Sequence, residues 1–268
     1  MRRRLKKIVL WVAVIVMIVN YAINYFGTQK AAQDISVTNI NTPGHFLPRS
    51  TTGVIIAHNG YTLSYSEAHE QAEWVAYTLN KNDIVNTNRK RPYFIIDPKV
   101  PTASAHWRSY KNSGYDRGHL CPAGDRKLTR ALFDETFYTS NISPQRHDFN
   151  AGIWNTLEQK VRWWATKYNS LYVITGGVLK QGGLATIGAD KVSVPQYFYK
   201  IVVSYDNSKL KAIAFLLPHK DSNTPLYQFV VSIDRLEELT GIDFFEHLPE
   251  TIEAAIERST DYHDWAFR

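Results

Sequence analysis

The chemistry of this chain is concentrated between residues 114 and 158. Its centre is Gly114-Tyr115-Asp116-Arg117-Gly118-His119-Leu120-Cys121-Pro122-Ala123-Gly124-Asp125. Asp-Arg-Gly-His sets a candidate general base beside a guanidinium, with a glycine that lets backbone or substrate come close. Downstream stand Asn141-Ile142-Ser143-Pro144-Gln145, then Asn150 at the head of a strongly helical stretch and Glu158 eight residues further on. Eight residues of regular α-helix turn through about 80° beyond two full turns and climb about 12 Å. Asn150 and Glu158 therefore share one broad face. An amide and a carboxylate facing one way suit a hard, oxygen-seeking cation that keeps most of its waters, such as Mg²⁺.

Each residue also has an ordinary explanation. His119 alone would read as a structural histidine, and Asn150 as the N-cap of the helix that follows. Glu158 has Arg162 as an i,i+4 partner, and Arg117 could simply hold Asp116. His147 and Asp148 read as solvated loop residues rather than a second metal site. Cys121, the single cysteine, excludes a disulfide framework and a cysteine-rich zinc site and reads as a small buried filler. Trp163 lies off the apolar stripe and suits a surface contact.

The motifs together resemble the DNA/RNA non-specific endonuclease family of ββα-metal nucleases, which includes mitochondrial endonuclease G. The likeness rests on DRGH at 116–119, NISPQ at 141–145, Asn150 and WNTLE at 154–158, with TGG at 175–177 and VSVPQYFYKIVV at 192–203 further on. It covers roughly residues 60 to 258. The resemblance implies an α+β fold, a central antiparallel sheet flanked by helices. It implies His119 as general base, Asn150 as the protein ligand of Mg²⁺ (or Mn²⁺), and Glu158 holding metal-bound waters. Arg117 would support the phosphorane charge, Asn141 would orient the site around His119, and Asp116 would fix the loop. DNA and RNA substrates, 5′-phosphate products and a possible homodimer are implied likewise. A functional arginine upstream of DRGH is also implied, and Arg89 and Arg91 both fit it. Two rivals stand beside a nuclease: a surface module that holds nucleic acid without cutting, and a phosphodiesterase for another substrate.

The elements that must position these residues read as follows. Ser64-x-x-Glu67 resembles a capping box, and Ala68, Ala72, Val75, Ala76 and Leu79 follow at helical spacing. Tyr93 to Ile96 reads as a short strand. Ile153, Trp154, Leu157, Val161, Trp164, Ala165 and Tyr168 form one helical stripe. Leu171–Thr175, Val192–Tyr205 and Leu210–Leu217 read as strands, the last two joined by a turn at 206–209. Helices at about 232–240 and 250–258 close the chain, the first stopped by Gly241.

Composition bounds the rest. With 44% hydrophobic and 21% charged residues over 268 positions, the chain is neither disordered nor a miniprotein. The net charge of +6 owes five charges to Arg2, Arg3, Arg4, Lys6 and Lys7, leaving 26 of the 31 Lys and Arg against 25 Asp and Glu. The globular part is thus near neutral, which lends little to tight polyanion binding. Ile8 to Phe26 is an apolar run of roughly 28 Å as a helix, close to a bilayer's hydrocarbon thickness. With its basic flank it reads as a signal anchor, or else a cleaved signal, and either exports the residues beyond about 30 to the periplasmic or extracellular side. A mitochondrial presequence would be amphipathic, and this run is uniformly apolar. The expected organisation is a basic tail and anchor over 1–29, a stalk over 30–59, and the catalytic domain over 60–268.

Overall fold

The computed structural model describes residues 43–180, 182–205 and 210–267. The expected anchor at 8–26 lies outside these residues. Among the described residues no helix is long and apolar enough to cross a membrane.

A seven-stranded antiparallel sheet forms the centre, made of β1 (Ile55–Ala57), β2 (Thr62–Ser66), β3 (Gln71–Asn80), β6 (Ser170–Gly177), β9 (Tyr197–Ser204), β10 (Lys211–Pro218) and β11 (Val230–Val231), in that spatial order. Alternation sends successive side chains to opposite faces. On β9, Phe198 and Val202 enter one core with Trp154, Leu157, Val161 and Trp164. Tyr199, Ile201 and Val203 enter another with Ile233, Leu236 and Phe244. The sheet thus carries the helix Asn155–Tyr168 (α2) on one face. On the other it carries Ile233–Thr240 (α3), and Ile252 and Ile256 of Glu250–Glu257 (α4) pack against that same core. Ser232 caps α3 by accepting from the Arg235 N–H, and Gly241 ends it in the left-handed region (φ 74°).

One expectation fails here. Residues 68–79 are not helical: they form the turn after β2 and then β3, a central strand. Eight of the ten β3 residues are buried, with Val75, Tyr77 and Leu79 in one core and Trp74 and Ala76 in the other, so the strand shows no apolar–polar alternation there. Ser64 caps nothing; its hydroxyl donates to Glu73. Tyr93–Ile96 forms no strand either, only a single bridge between Ile95 and Tyr138. The strands read at 171–175 and 210–217 are present, but the one read at 192–205 is interrupted: Val192–Ser193 (β8) pairs with Thr186–Ile187 (β7), and β9 starts only at Tyr197. β9 and β10 pair in register from Ser204–Lys211 to Tyr197–Pro218, and the turn read at 206–209 lies outside the described residues.

Set apart from this sheet, β4 (Asp116–His119) pairs antiparallel with β5 (Ile142–Gln145), matching Asp116 with Gln145 and His119 with Ile142. The short helix α1 (Arg130–Glu135) lies in the chain between them. After β5 the chain turns at His147–Phe149, passes through a π-turn at Asn150–Trp154 and enters α2. β4, the entry to β5, the π-turn and α2 therefore carry Asp116, Arg117, His119, Asn141, Asn150 and Glu158.

Candidate functional site

DRGH is β4. Its glycine is required by packing: a Cβ at Gly118 would lie 2.1 Å from Gln145 Oε1 on the paired strand. The close approach expected at this glycine is thus made by the Gln145 side chain. Asn141, at the entry to β5, is fully buried. Its Oδ1 accepts from the Cys121 N–H at 2.8 Å, and its Nδ2 donates to the carbonyls of Cys121 and Thr136. The amide is spent on backbone, so it reaches His119 through the chain, two residues away.

His119 stands in an aromatic slot. Its ring is 5.5 Å from that of Phe94 and 5.0 Å edge-on to Phe137, and those two rings are themselves 5.1 Å apart. Its Nε2 is buried and has no hydrogen-bond partner. Burial, and then the positive charge of Arg91, push the imidazole pKa down to about 3, because both disfavour an imidazolium. The ring is therefore a neutral base at any physiological pH.

Two guanidiniums flank this slot. Arg117 lies over Phe94 at 5.1 Å and Arg91 over Phe137 at 5.6 Å. The sequence left Arg89 and Arg91 undecided, and their contacts separate them. Arg89 is spent on the carbonyls of Lys127 and Leu128, whereas Arg91 acts on His119. No local signal marked the difference, since the slot is built by Phe137, over forty residues downstream.

Asn150 is not an N-cap. It has helical backbone angles at the start of the π-turn, and its Nδ2 donates to Asp116 Oδ2 at 3.0 Å. Asp116, expected to fix a loop, instead links the strand to the helix, and also pairs with the exposed His147 at 2.9 Å. With Nδ2 engaged, Oδ1 is the atom of Asn150 left for a ligand. The regular-helix arithmetic from Asn150 to Glu158 also needs correcting, because the π-turn intervenes. Gly152 breaks the helix (φ −93°, ψ −113°), and Asp221 closes the break by accepting from the Ile153 N–H at 3.0 Å.

Glu158 is half-buried on α2, its side chain 15% exposed. Burial raises its carboxyl to about 7, with Asp125 pushing the same way and Lys200 and Arg162 opposing. Arg162 comes within 4.0 Å of Glu158 but bonds Asp125 at 2.8 Å, and Asp125 in turn accepts from the Tyr77 hydroxyl. Lys200, unnoticed in the sequence because it sits in an apolar strand, is fully buried on β9 with Nζ 4.7 Å over the Trp154 ring and no hydrogen-bond partner. Cys121 is buried as expected, and its thiol is raised to about 12. Trp163 is 40% exposed, with Lys160 and Lys167 over its ring.

A hard cation fits these groups: an amide oxygen whose partner nitrogen is held, a carboxylate on the same helical segment, and no thiol available as a ligand.

Known proteins resemble this chain in both sequence and fold. The family model for DNA/RNA non-specific endonucleases matches residues 43–251. The mitochondrial nuclease EXOG of Danio rerio is 36% identical over 207 residues, covering 71% of this chain and 60% of that protein. The mitochondrial nuclease of Saccharomyces cerevisiae is 30% identical over 259 residues, covering 87% and 79%. The chain spans less than two thirds of the length of its EXOG relatives. Among solved structures, EndoG from the EndoG/EndoGI complex superposes with a TM-score of 0.67 at 32% identity, covering 73% of this chain and 86% of that one. The names of the two nucleases overturn the expected periplasmic or extracellular placement, since both are mitochondrial proteins. The physical reason is that hydropathy measures fit to a hydrocarbon layer, and carries no address for one membrane over another.

Proposed function

Because the chain belongs to the DNA/RNA non-specific endonuclease family, we propose that it is a metal-dependent endonuclease cutting phosphodiester bonds of DNA and RNA with little sequence preference. The observation that carries this reading is His119, a neutral imidazole with an unpartnered Nε2, packed against two rings that each carry a guanidinium. A phosphodiester is anionic and resists attack, so a catalyst must deprotonate water and offset charge at phosphorus. His119 Nε2 takes the proton of the attacking water. The resulting hydroxide forms the new P–O bond, and the bond to the 3′ oxygen breaks, leaving a 5′-phosphate; the 3′ oxygen takes a proton from water to become a hydroxyl, and His119 returns its proton to solvent. Arg117 and Arg91 stand over the two rings that pack against the base, where they attract phosphate and favour the added negative charge.

Mg²⁺ is the cation of this reading, with Asn150 Oδ1 its protein ligand and Glu158 accepting hydrogen bonds from its waters. When bound, it would draw charge from the scissile phosphate and the departing oxygen. Asp116 holds the Asn150 amide in the one orientation that presents oxygen, and Asn141 holds the backbone beyond His119. Such a site reads phosphate and not base edges, which favours tolerance of sequence and of both nucleic acids. The EndoG relative was solved in a complex that inhibits it, and an inhibitory protein partner belongs to this reading.

The test is cleavage of plasmid and RNA by the purified chain, with Mg²⁺ or with EDTA. His119→Ala and Asn150→Ala are run alongside. Nicking of both substrates should need the metal and vanish in both variants. A folded wild type that cuts neither sinks the reading, and a gel shift on the same sample would then identify a binding module.

A further inference from the structure

Far from the nuclease motifs in sequence, α3, α4 and the loop between them gather carboxylates that have no ion-pair partner among the described residues. Asp234, Glu237 and Glu257 bring ligand oxygens within 4.8 Å of one another, and so do Asp243, Glu253 and Glu257. Glu257 belongs to both groups. It is 8% exposed, and its Oε1 is buried with no hydrogen-bond partner, as is Asp243 Oδ1. None of the ion pairs among the described residues reaches these five side chains.

The arrangement is costly as it stands. Burial raises the Glu257 carboxyl to about 8, and Glu237, Glu253, Asp234 and Asp243 all push in the same direction. Glu257 is also the last residue of α4, where the partial negative charge of the free carbonyls opposes a carboxylate. Glu237 Oε1 accepts from the Phe244 N–H at 2.9 Å, and Glu237 also shares a side-chain hydrogen bond with Glu257. A buried, unpaired oxygen facing four further carboxylates is the chemistry of a hard-cation cage, in which carboxylates bind singly or in pairs without strict geometry. Calcium fits better than magnesium, because it accepts more oxygens at longer and more variable distances.

We propose that α3 and α4 bind a calcium-class divalent cation through Glu257, with the surrounding carboxylates completing the shell. The ion ties the C-terminal helix to the sheet face that α3 covers. Two of its ligands, Glu253 and Glu257, lie beyond residues 43–251, so the matched family segment does not contain the whole site. It is independent of the nuclease reading above.

The test uses the full chain freed of metal by EDTA and dialysed, with calcium chloride as the only added ligand. Thermal unfolding and titration calorimetry are the readouts. Calcium at a hundredfold excess over its Kd should raise Tm by about 5 °C or more, with one ion bound per chain. Asn150→Ala should respond like the wild type. Glu257→Gln should raise the Tm of the metal-free protein, by relieving repulsion, and abolish the response to calcium. Glu253→Gln should weaken binding at least about tenfold and stands in if Glu257→Gln fails to fold. A wild type indifferent to millimolar calcium overturns the proposal, and so does a calcium response that survives in Glu257→Gln and Glu253→Gln.

Discussion

Replacing His119 by glutamine should flatten the acid limb of the protein's stability curve. In the native state burial and Arg91 hold the imidazole at about 3, whereas an unfolded histidine titrates near 6.5. A folded pKa lowered in this way stabilises the protein fully above the unfolded value. That stability is lost as pH falls from about 6.5 toward 3, because the unfolded chain takes up a proton the native state refuses. At pH 5 the unfolded imidazole is almost wholly protonated and the native one almost wholly neutral. The linkage then removes about 2 kcal/mol relative to pH 7. The assay is urea unfolding followed by tryptophan fluorescence at pH 7 and pH 5, in EDTA, for wild type and His119→Gln. Other groups titrate in both proteins and cancel in the difference, so the wild type should lose about 2 kcal/mol more than the variant. Equal losses would refute the claim that this ring is held neutral by its aromatic slot, and with it the assignment of a base active far below neutrality.

Further outcomes follow from neighbouring contacts. Asp116→Asn should free the Asn150 amide to rotate and weaken Mg²⁺ dependence by about 10- to 100-fold, read as the Mg²⁺ concentration for half-maximal cleavage. His147→Ala, which removes only the exposed partner of the same carboxylate, should leave that concentration unchanged. Lys200→Met removes the largest influence opposing the upward shift of Glu158, so the acid limb of the cleavage rate should move to higher pH; an unmoved limb would separate Lys200 from Glu158. In Gly152→Ala the new Cβ would lie 2.1 Å from Asp221 Oδ1 and displace it from the Ile153 N–H. The expected cost is about 1 kcal/mol, measured by chemical denaturation. Adding Asp221→Ala should cost little more, since both changes break the same hydrogen bond.

The sequence by itself determined what depends on near neighbours along the chain. The α2 stripe repeats at helical spacing, Ser232 and Gly241 bracket α3, and the strands 197–204 and 211–218 pair as a hairpin because they are close in the chain. The DRGH and NISPQ motifs were legible as chemistry because several residue types recur in one order, and the structure joins them as the paired strands β4 and β5. Tertiary structure decided what depends on partners distant in sequence. Strand β3 read as a helix because a strand buried on both faces loses its alternation, and only its neighbours β2 and β6 make it extended. Asn150 became a side chain tied to Asp116, and not a cap, because Asp221 satisfies the broken helix from seventy residues away. Whether Arg89 or Arg91 faces His119 rests on Phe137, and the crowding around Glu257 rests on how α3 and α4 pack. Local periodicity registers the free energy of a residue among its chain neighbours, while a pKa, an orphaned oxygen or a charged pocket is set by desolvation and Coulomb terms that exist only after the distant segments have met.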